Sequence, residues 1–382
     1  MDFSLSPEQL ALVETAGKFA KDRLAPAYKA REAAGCIERE LIRAMGEMGF
    51  WGPELPAEHG GLGLDCLTTG LLVEQIAYGD CNVAYISILV SLCGQIVARY
   101  GRSHEARQWL AEAIAGRKTF AIALTEPSGG SDAANLKLKA SAEGSDFILN
   151  GEKTSISMAT QADVAVVFAR TGLASDGARG ITAFLVPMDL PGVSRSTLDD
   201  IGSRAVGRGS IFFDAVRVPR EMMLGDEGQG FVQVMQGFDY SRVLIGLQCL
   251  AAARASLDET WRYVQERQAF GKPIGEFQGV TFPLAEAETY YEACRTLCLR
   301  ALWLKDRGLA HTSEAAMCKW WGPKLACDII HQCLLTHGHG GYSGDFPFGQ
   351  RYRDVLGLQI GDGTANIMKM IISRDNLARY PL

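Results

Sequence analysis

The chain has 382 residues, 47% of them hydrophobic and 21% charged, with no low-complexity tract, enough to bury substantial cores in two or three domains. A formal net charge of −6 without a Lys/Arg cluster gives no electrostatic footprint for nucleic acid or for an acidic membrane surface. No basic segment precedes an apolar stretch at the N-terminus and no run of about 18 apolar residues occurs, so secretion and membrane spanning are not expected and the cytoplasm is the expected location.

Residues 1–119 read as a helical domain. Ser6 can N-cap, Pro7 suits the first helical position, Gln9 completes a capping box, and Leu10, Val13 and Phe19 fall near one apolar face. The runs ERELIRAMGEMGF, CLTTGLLVEQIAYG and NVAYISILVSLCGQIVARYG repeat the helical period, and the Pro and Gly of PELPAEHGGLGLD mark a loop. Residues 120–230 switch to short β-rich runs, FAIALTEP, DFILNGEK, DVAVVFART, GITAFLVPM and GSIFFDAVRVP, each bounded by Gly, Asp, Ser or Pro. They predict a middle β domain, a barrel or sandwich. From 231 to 382 long amphipathic patterns return, of a length that packs as a four-helix bundle. The fold class is therefore α+β. No Gly-rich loop falls between a strand and a helix, so no Rossmann or P-loop nucleotide site is expected. Ten scattered cysteines without a CxxC read as small buried hydrophobes in a reducing compartment.

Near the C-terminus, GLQIGDGTANI places Asp362 between two glycines. Turn chemistry explains such an Asp, since Gly supplies positive φ and Asp bonds its own backbone; a catalytic base is the alternative. Asp239 and Arg242 in FDYSR lie one helical turn apart, the spacing of a local ion pair of about 0.3 kcal/mol. Glu126 and Asp132 flank a turn and read as turn and cap residues. His337 and His339 have no companion Cys, Asp or Glu at metal-ligand spacing, so they read as surface loop histidines and no metal is expected. The indoles of KWWG (319–322) read as core.

Five motifs in order, PAEHGGLGLD (56–65), LTEPSGGSD (124–132), VPREMMLGDEGQGF (218–231), ERQAFGKPIGEFQ (266–278) and GGYSGDFPFGQRYRDVLGLQIGDGT (340–364), span 300 residues, and with the α, β, α order the chain resembles the acyl-CoA dehydrogenase family over nearly its whole length. The resemblance implies FAD as cofactor, an acyl-CoA or acyl carrier protein thioester as substrate, an electron-transfer flavoprotein as acceptor, and a homo-oligomer, a tetramer. It implies removal of a proton from Cα and of a hydride from Cβ to flavin N5. The family commonly has glutamate before Gly-Thr at the catalytic position, where this chain has Asp362, whose backbone N–H would also hold the thioester oxygen.

The same comparison implies flavin contacts for Thr125, Ser131 and Ser157, and for Ser155 where the family usually has an aromatic ring. It implies ADP contacts across a subunit boundary for Arg267, Phe270, Gln278, Gly338 and Gly341, with His339 and Leu335 departing from the family's glycine and glutamine. Thr364 and Asn366 would reach the cofactor again. Asp239, Arg242 and Ser131 would contact substrate, with Ser91, Leu92 and Cys93 at the acyl end. Aspartate is about 1.5 Å shorter than glutamate, and Gly361 stands where straight-chain members have an aromatic ring. Together these imply a wider pocket for a branched or alicyclic acyl group, as in a cyclohexanecarboxyl-CoA dehydrogenase. Two alternatives remain open on the sequence: a flavoprotein oxidase of the nitroalkane type, whose base is aspartate, and a non-catalytic flavin-binding relative. A base at the position of Ser241 is not expected, because serine cannot do that work unaided.

Overall fold

The computed structural model describes residues 4–380. Helix α1 (Pro7–Phe19) begins with the expected capping box, Ser6 accepting from Gln9 N–H while the Gln9 side chain accepts from Ser6 N–H. Its buried side differs from expectation: Leu10 is 46% exposed, and Ala16 is buried with Leu12 and Phe19 packed beside it. The helix runs through a looser turn and a tight turn at Pro26 into α2 (Tyr28–Ala34), followed by α3 (Arg39–Glu47), α4 (Cys66–Gly79), α5 (Cys81–Tyr100) and α6 (His104–Ile114). By length and composition α5 could cross a membrane, but 83% of its apolar window is buried inside the fold. It is the central helix of the N-terminal region. Eight of the ten cysteines are buried, Cys66 at the start of α4 is partly buried, and Cys36 is exposed.

The middle region is one eight-stranded sheet of β1 (Phe120–Ala123), β2 (Lys139–Glu143), β3 (Asp146–Ile156), β4 (Val164–Arg170), β5 (Ile181–Pro187), β6 (Val193–Thr197), β7 (Gly209–Pro219) and β8 (Met223–Leu224). Its order is β6-β7-β3-β2-β4-β5-β8, with β1 parallel to β4. Strands β4 and β5 are buried almost throughout, which is why they read as unbroken apolar runs. The β3–β7 register shifts between Lys153 and Ile156, and Ser155 sits in that bulge with φ +55°. Bulges of this kind bend a strand and re-aim its side chains.

Helix α7 (Gly230–Glu266) has 37 residues, a span of about 55 Å. After the short hairpin of β9 (Gln268–Ala269) and β10 (Lys272–Pro273) come α8 (Gln278–Asp306), α9 (Thr312–Thr336), α10 (His339–Tyr342), α11 (Phe348–Gly357) and α12 (Ala365–Arg379). Helices α7 and α9 cross where Gly246 meets Gly322: a Cβ on Gly322 would lie 2.9 Å from Gly246 Cα. That approach brings Arg242, one turn before Gly246, close to Lys319, one turn before Gly322.

One buried carboxylate joins the three regions. Asp354 of α11 accepts from Tyr28 OH at 2.5 Å, Asn82 Nδ2 at 2.9 Å and the Ser203 backbone N–H at 2.5 Å. Its neighbour Arg353 donates to Ile201 O at 2.7 Å and pairs with Glu32 at 2.5 Å. The short stretch that follows α11 is thereby fixed against both the N-terminal helices and the sheet.

Candidate active site

That stretch carries Asp362. Helix α11 ends at Leu358, and Thr364 N-caps α12, its Oγ1 accepting from Ile367 N–H at 3.4 Å. Between them Asp362 has φ +55° and Gly363 φ +102°. A left-handed backbone costs a residue with a Cβ about 1–2 kcal/mol. The Gly-Asp-Gly sequence therefore does form a turn, and the turn carries a partly buried carboxylate toward a group of cations. Burial raises the Asp362 carboxyl above the usual carboxylate range, while the cations of Lys319, Arg242 and Arg208 oppose the rise. From α5 the Tyr85 hydroxyl and the Cys93 thiol face the same carboxylate; both are pushed up first by burial and then by its charge. The Tyr85 hydroxyl also faces Ser157, just past the end of β3. Every region of the chain thus contributes to the surroundings of Asp362.

Arg242 is buried, with two of its nitrogens engaged: Nη1 reaches Asp239 Oδ1 at 3.1 Å and Nε reaches Asp362 O at 3.3 Å. The expected Asp239–Arg242 pair is present, and Thr312 Oγ1 donates to the second Asp239 oxygen at 2.6 Å. Ser241 points elsewhere, its hydroxyl donating to Phe238 O at 3.3 Å. Gly361 is exposed, and a Cβ there would meet nothing within 4 Å. Ser91 is fully buried beside Glu54, on a different side of α5 from Tyr85 and Cys93, and Leu92 packs against Gly237 of α7.

The residues expected around FAD fall into two groups. Thr125, whose carbonyl accepts Thr154 N–H at 2.9 Å, leads into an exposed turn through Ser131, with open space around Gly129. Glu126 does more than cap that turn: its carboxylate accepts from Lys137 and Leu138 N–H at 2.6 and 2.8 Å and pairs with the fully buried Lys153 at 2.8 Å. Ser155 is exposed on its bulge, and Ser157 is buried. In the second group Arg267 and Gln278 are exposed with no side-chain partner among the described residues, and Phe270 is 93% exposed at φ +51°. Gly338 is open at φ +59°, whereas a Cβ on Gly341 would lie 2.3 Å from Leu334 O. Asn366 is exposed. An open polar turn on the sheet and an unpaired guanidinium with a bare aromatic ring fit a large anionic, aromatic cofactor such as FAD.

His337 departs from expectation. It caps α9 in a buried cluster, stacked on Tyr263 at 4.0 Å and beside Phe348 at 4.5 Å, with Nδ1 bonded to Cys333 O at 2.9 Å; burial lowers its pKa. His339 is exposed as expected. Tyr85, Arg208 and Lys319 around Asp362 were not legible as site residues. The one available signal was a lysine on the apolar side of the AAMCKWWG pattern.

Sequence profiles for the N-terminal, middle and C-terminal domains of acyl-CoA dehydrogenase match residues 6–117, 121–216 and 228–377. A probable acyl-CoA dehydrogenase, YngJ of Bacillus subtilis, is 34% identical over 99% of this chain and 100% of its own. The structure of butyryl-CoA dehydrogenase from Megasphaera elsdenii superposes with a TM-score of 0.95 at 32% identity, covering 99% of this chain and 100% of that one. PigA with FAD and proline superposes with a TM-score of 0.94 at 27% identity, covering 99% and 100%. With all three domains matched in order on one continuous fold, the chain belongs to the acyl-CoA dehydrogenase family and is an FAD-dependent oxidoreductase.

Proposed function

We propose that the protein dehydrogenates a branched or alicyclic acyl-CoA thioester across Cα and Cβ, with Asp362 taking the Cα proton. The observation that carries this reading is the partly buried Asp362 carboxylate, held in a left-handed turn that Arg242 and Lys319 bond and faced by Lys319, Arg242 and Arg208, with burial raising it above the usual carboxylate range. A carboxylate in water is too weak a base for a proton α to a thioester; burial strengthens it, and the surrounding cations keep its charged form populated. Bound FAD supplies the hydride acceptor. The left-handed turn at Asp362 leaves its backbone N–H without a hydrogen bond among the described residues, available to hold the thioester oxygen as negative charge develops there.

Substrate shape follows from two neighbouring positions. The shorter aspartate withdraws the base, and Gly361 leaves open space beside it. An acyl group bulky at Cβ fills that space and meets the base. Thr125, Ser131, Ser155 and Ser157 would contact the flavin, while Thr364, already capping α12, and Asn366 would approach it from the C-terminal side. The free Arg267 and Gln278 and the bare Phe270 would reach a neighbour's FAD in a tetramer, together with the backbone at Gly338 and Gly341. Arg242, engaged with Asp239 and Asp362 O, supports the base loop before it contacts any CoA group; Asp239 and Ser131 border the substrate, and Ser91 backs the pocket wall. Electron-transfer flavoprotein is the proposed acceptor.

The test is anaerobic flavin bleaching by straight, branched and alicyclic acyl-CoAs. Fastest reduction by a branched or alicyclic thioester supports the reading. Reduction by nitroalkanes with hydrogen peroxide release in air, and none by thioesters, replaces it with an oxidase.

A further inference from the structure

Buried cations grip the loop that carries Asp362 on both of its sides. Lys319 is 1% exposed, and its Nζ donates to Leu358 O at 2.6 Å and Gly363 O at 3.2 Å. Arg242 Nε adds the carbonyl of Asp362 itself at 3.3 Å. The first lysine bond is a helix cap, since Leu358 closes α11 and its carbonyl is one that the helix leaves unpaired. The second has no such explanation. Gly363 directly follows the base, so one ammonium ties the start of the loop to its end.

Lysine is a costly choice for that task. A buried ammonium is retained only where it is paired and hydrogen-bonded. Yet Lys319 makes no ion pair within 4.0 Å among the described residues, and both carbonyls that accept from it are neutral. The groups facing it are Asp362, Arg242 and Cys249, of which Asp362 is the one carboxylate. A neutral donor would satisfy the carbonyls at lower cost, so the charge answers to Asp362.

We propose that Lys319 is a positioning residue for the base: it closes the 358–363 loop through two carbonyls, holds Asp362 in its left-handed turn, and supplies the counter-charge that keeps the carboxylate ionised. This rests on the reading of Asp362 as the base. Burial lowers the lysine itself to about 8, so its counter-charge is present at neutral pH and fades above that value. Asp362 is also faced by Arg242 from α7, by Arg208 from the segment before β7, and by neutral Tyr85 and Cys93 from α5; the arginines stay charged, so the loss on removing Lys319 is partial.

The experiment compares wild type with Lys319→Met in two readouts. Substrate-driven flavin reduction is followed anaerobically against pH, and the Asp362 carboxyl is titrated by infrared difference spectroscopy on 13C-aspartate protein, assigned with Asp362→Asn. In Lys319→Met both midpoints should rise by about one pH unit, a tenfold loss of carboxylate well below the midpoint, with FAD content retained. Adding Lys319→Met to Asp362→Asn should slow reduction no further. Unmoved midpoints, or an equal loss in the Asp362→Asn background, would overturn the proposal and leave the lysine as a cap. If Lys319→Met does not accumulate, Lys319→Gln, which keeps a donor without the charge, must show the same rise. If wild-type flavin is reduced by no thioester, the functional reading fails, and the carboxyl titration still decides whether Lys319 acts on Asp362.

Discussion

Asp362 illustrates how a residue can satisfy two descriptions at once. Its flanking glycines make a turn, and the turn is the device that delivers a carboxylate among buried cations. The sequence pattern identified the position; it could not show φ +55° or the groups opposite, because Tyr85, Arg208 and Lys319 come from three distant segments and none stands in a motif of its own. His337 failed for the converse reason: residues that follow a helix look exposed in sequence, and only tertiary packing surrounds this one with rings. Gly361 gives a residue-scale prediction. No atom would meet a Cβ there and its backbone is not left-handed, so Gly361→Tyr should fold normally and narrow the space beside Asp362. Flavin reduction by an alicyclic acyl-CoA should then fall at least tenfold more than reduction by butyryl-CoA, the scale on which a small misplacement acts. Equal losses on the two substrates would remove the argument for a wide pocket.

At the scale of elements, the sequence was most legible where burial is one-sided or complete. Helix α4 matches its apolar run end to end, and β4 and β5 match theirs closely. Two of the strands it missed, β2 (KASAE) and β6 (VSRST), are mostly exposed and carry few apolar side chains, so pairing with neighbours makes them strands rather than any pattern of their own. The α7–α9 crossing was also invisible, because a glycine reads locally as a weak helix former whether or not a second glycine lies opposite. Here Gly246 and Gly322 let the helices approach closely enough to bring Arg242 and Lys319 together. Gly322→Val should cost about 1–3 kcal/mol by overpacking, partly offset by better helix propensity. Chemical denaturation measures that cost. Because the crossing orients the cations, the variant should also lose more flavin-reduction rate than FAD content; a rate that tracks FAD content alone would detach the crossing from the base.

Across the whole molecule, Asp354 and Arg353 link the N-terminal helices, the sheet and α11 at one point, so the Asp362 loop is referred to all three regions. Exposed apolar side chains are frequent in the C-terminal region, including Phe270, Phe282, Tyr290, Leu335, Tyr342, Ile360 and Leu377. Such surface on a chain with an unpaired Arg267 favours assembly of several copies around shared cofactor sites. Light scattering should give a tetramer, and Arg267→Ala should lower flavin occupancy and erase the rise in melting temperature that added FAD produces. A monomer retaining full FAD would contradict the shared site. The motifs conveyed this possibility through the ERQAFGKPIGEFQ stretch, whereas the bare ring of Phe270 emerged only from the fold.

The central claim is that Asp362 takes the proton, and stopped-flow flavin reduction of Asp362→Asn with the best thioester substrate tests it most directly. The amide keeps the size of the side chain and removes its capacity to accept a proton, so FAD should remain bound while the reduction rate falls by roughly 100-fold or more. Reduction at the wild-type rate would show that another group removes the proton and that Asp362 serves only its turn.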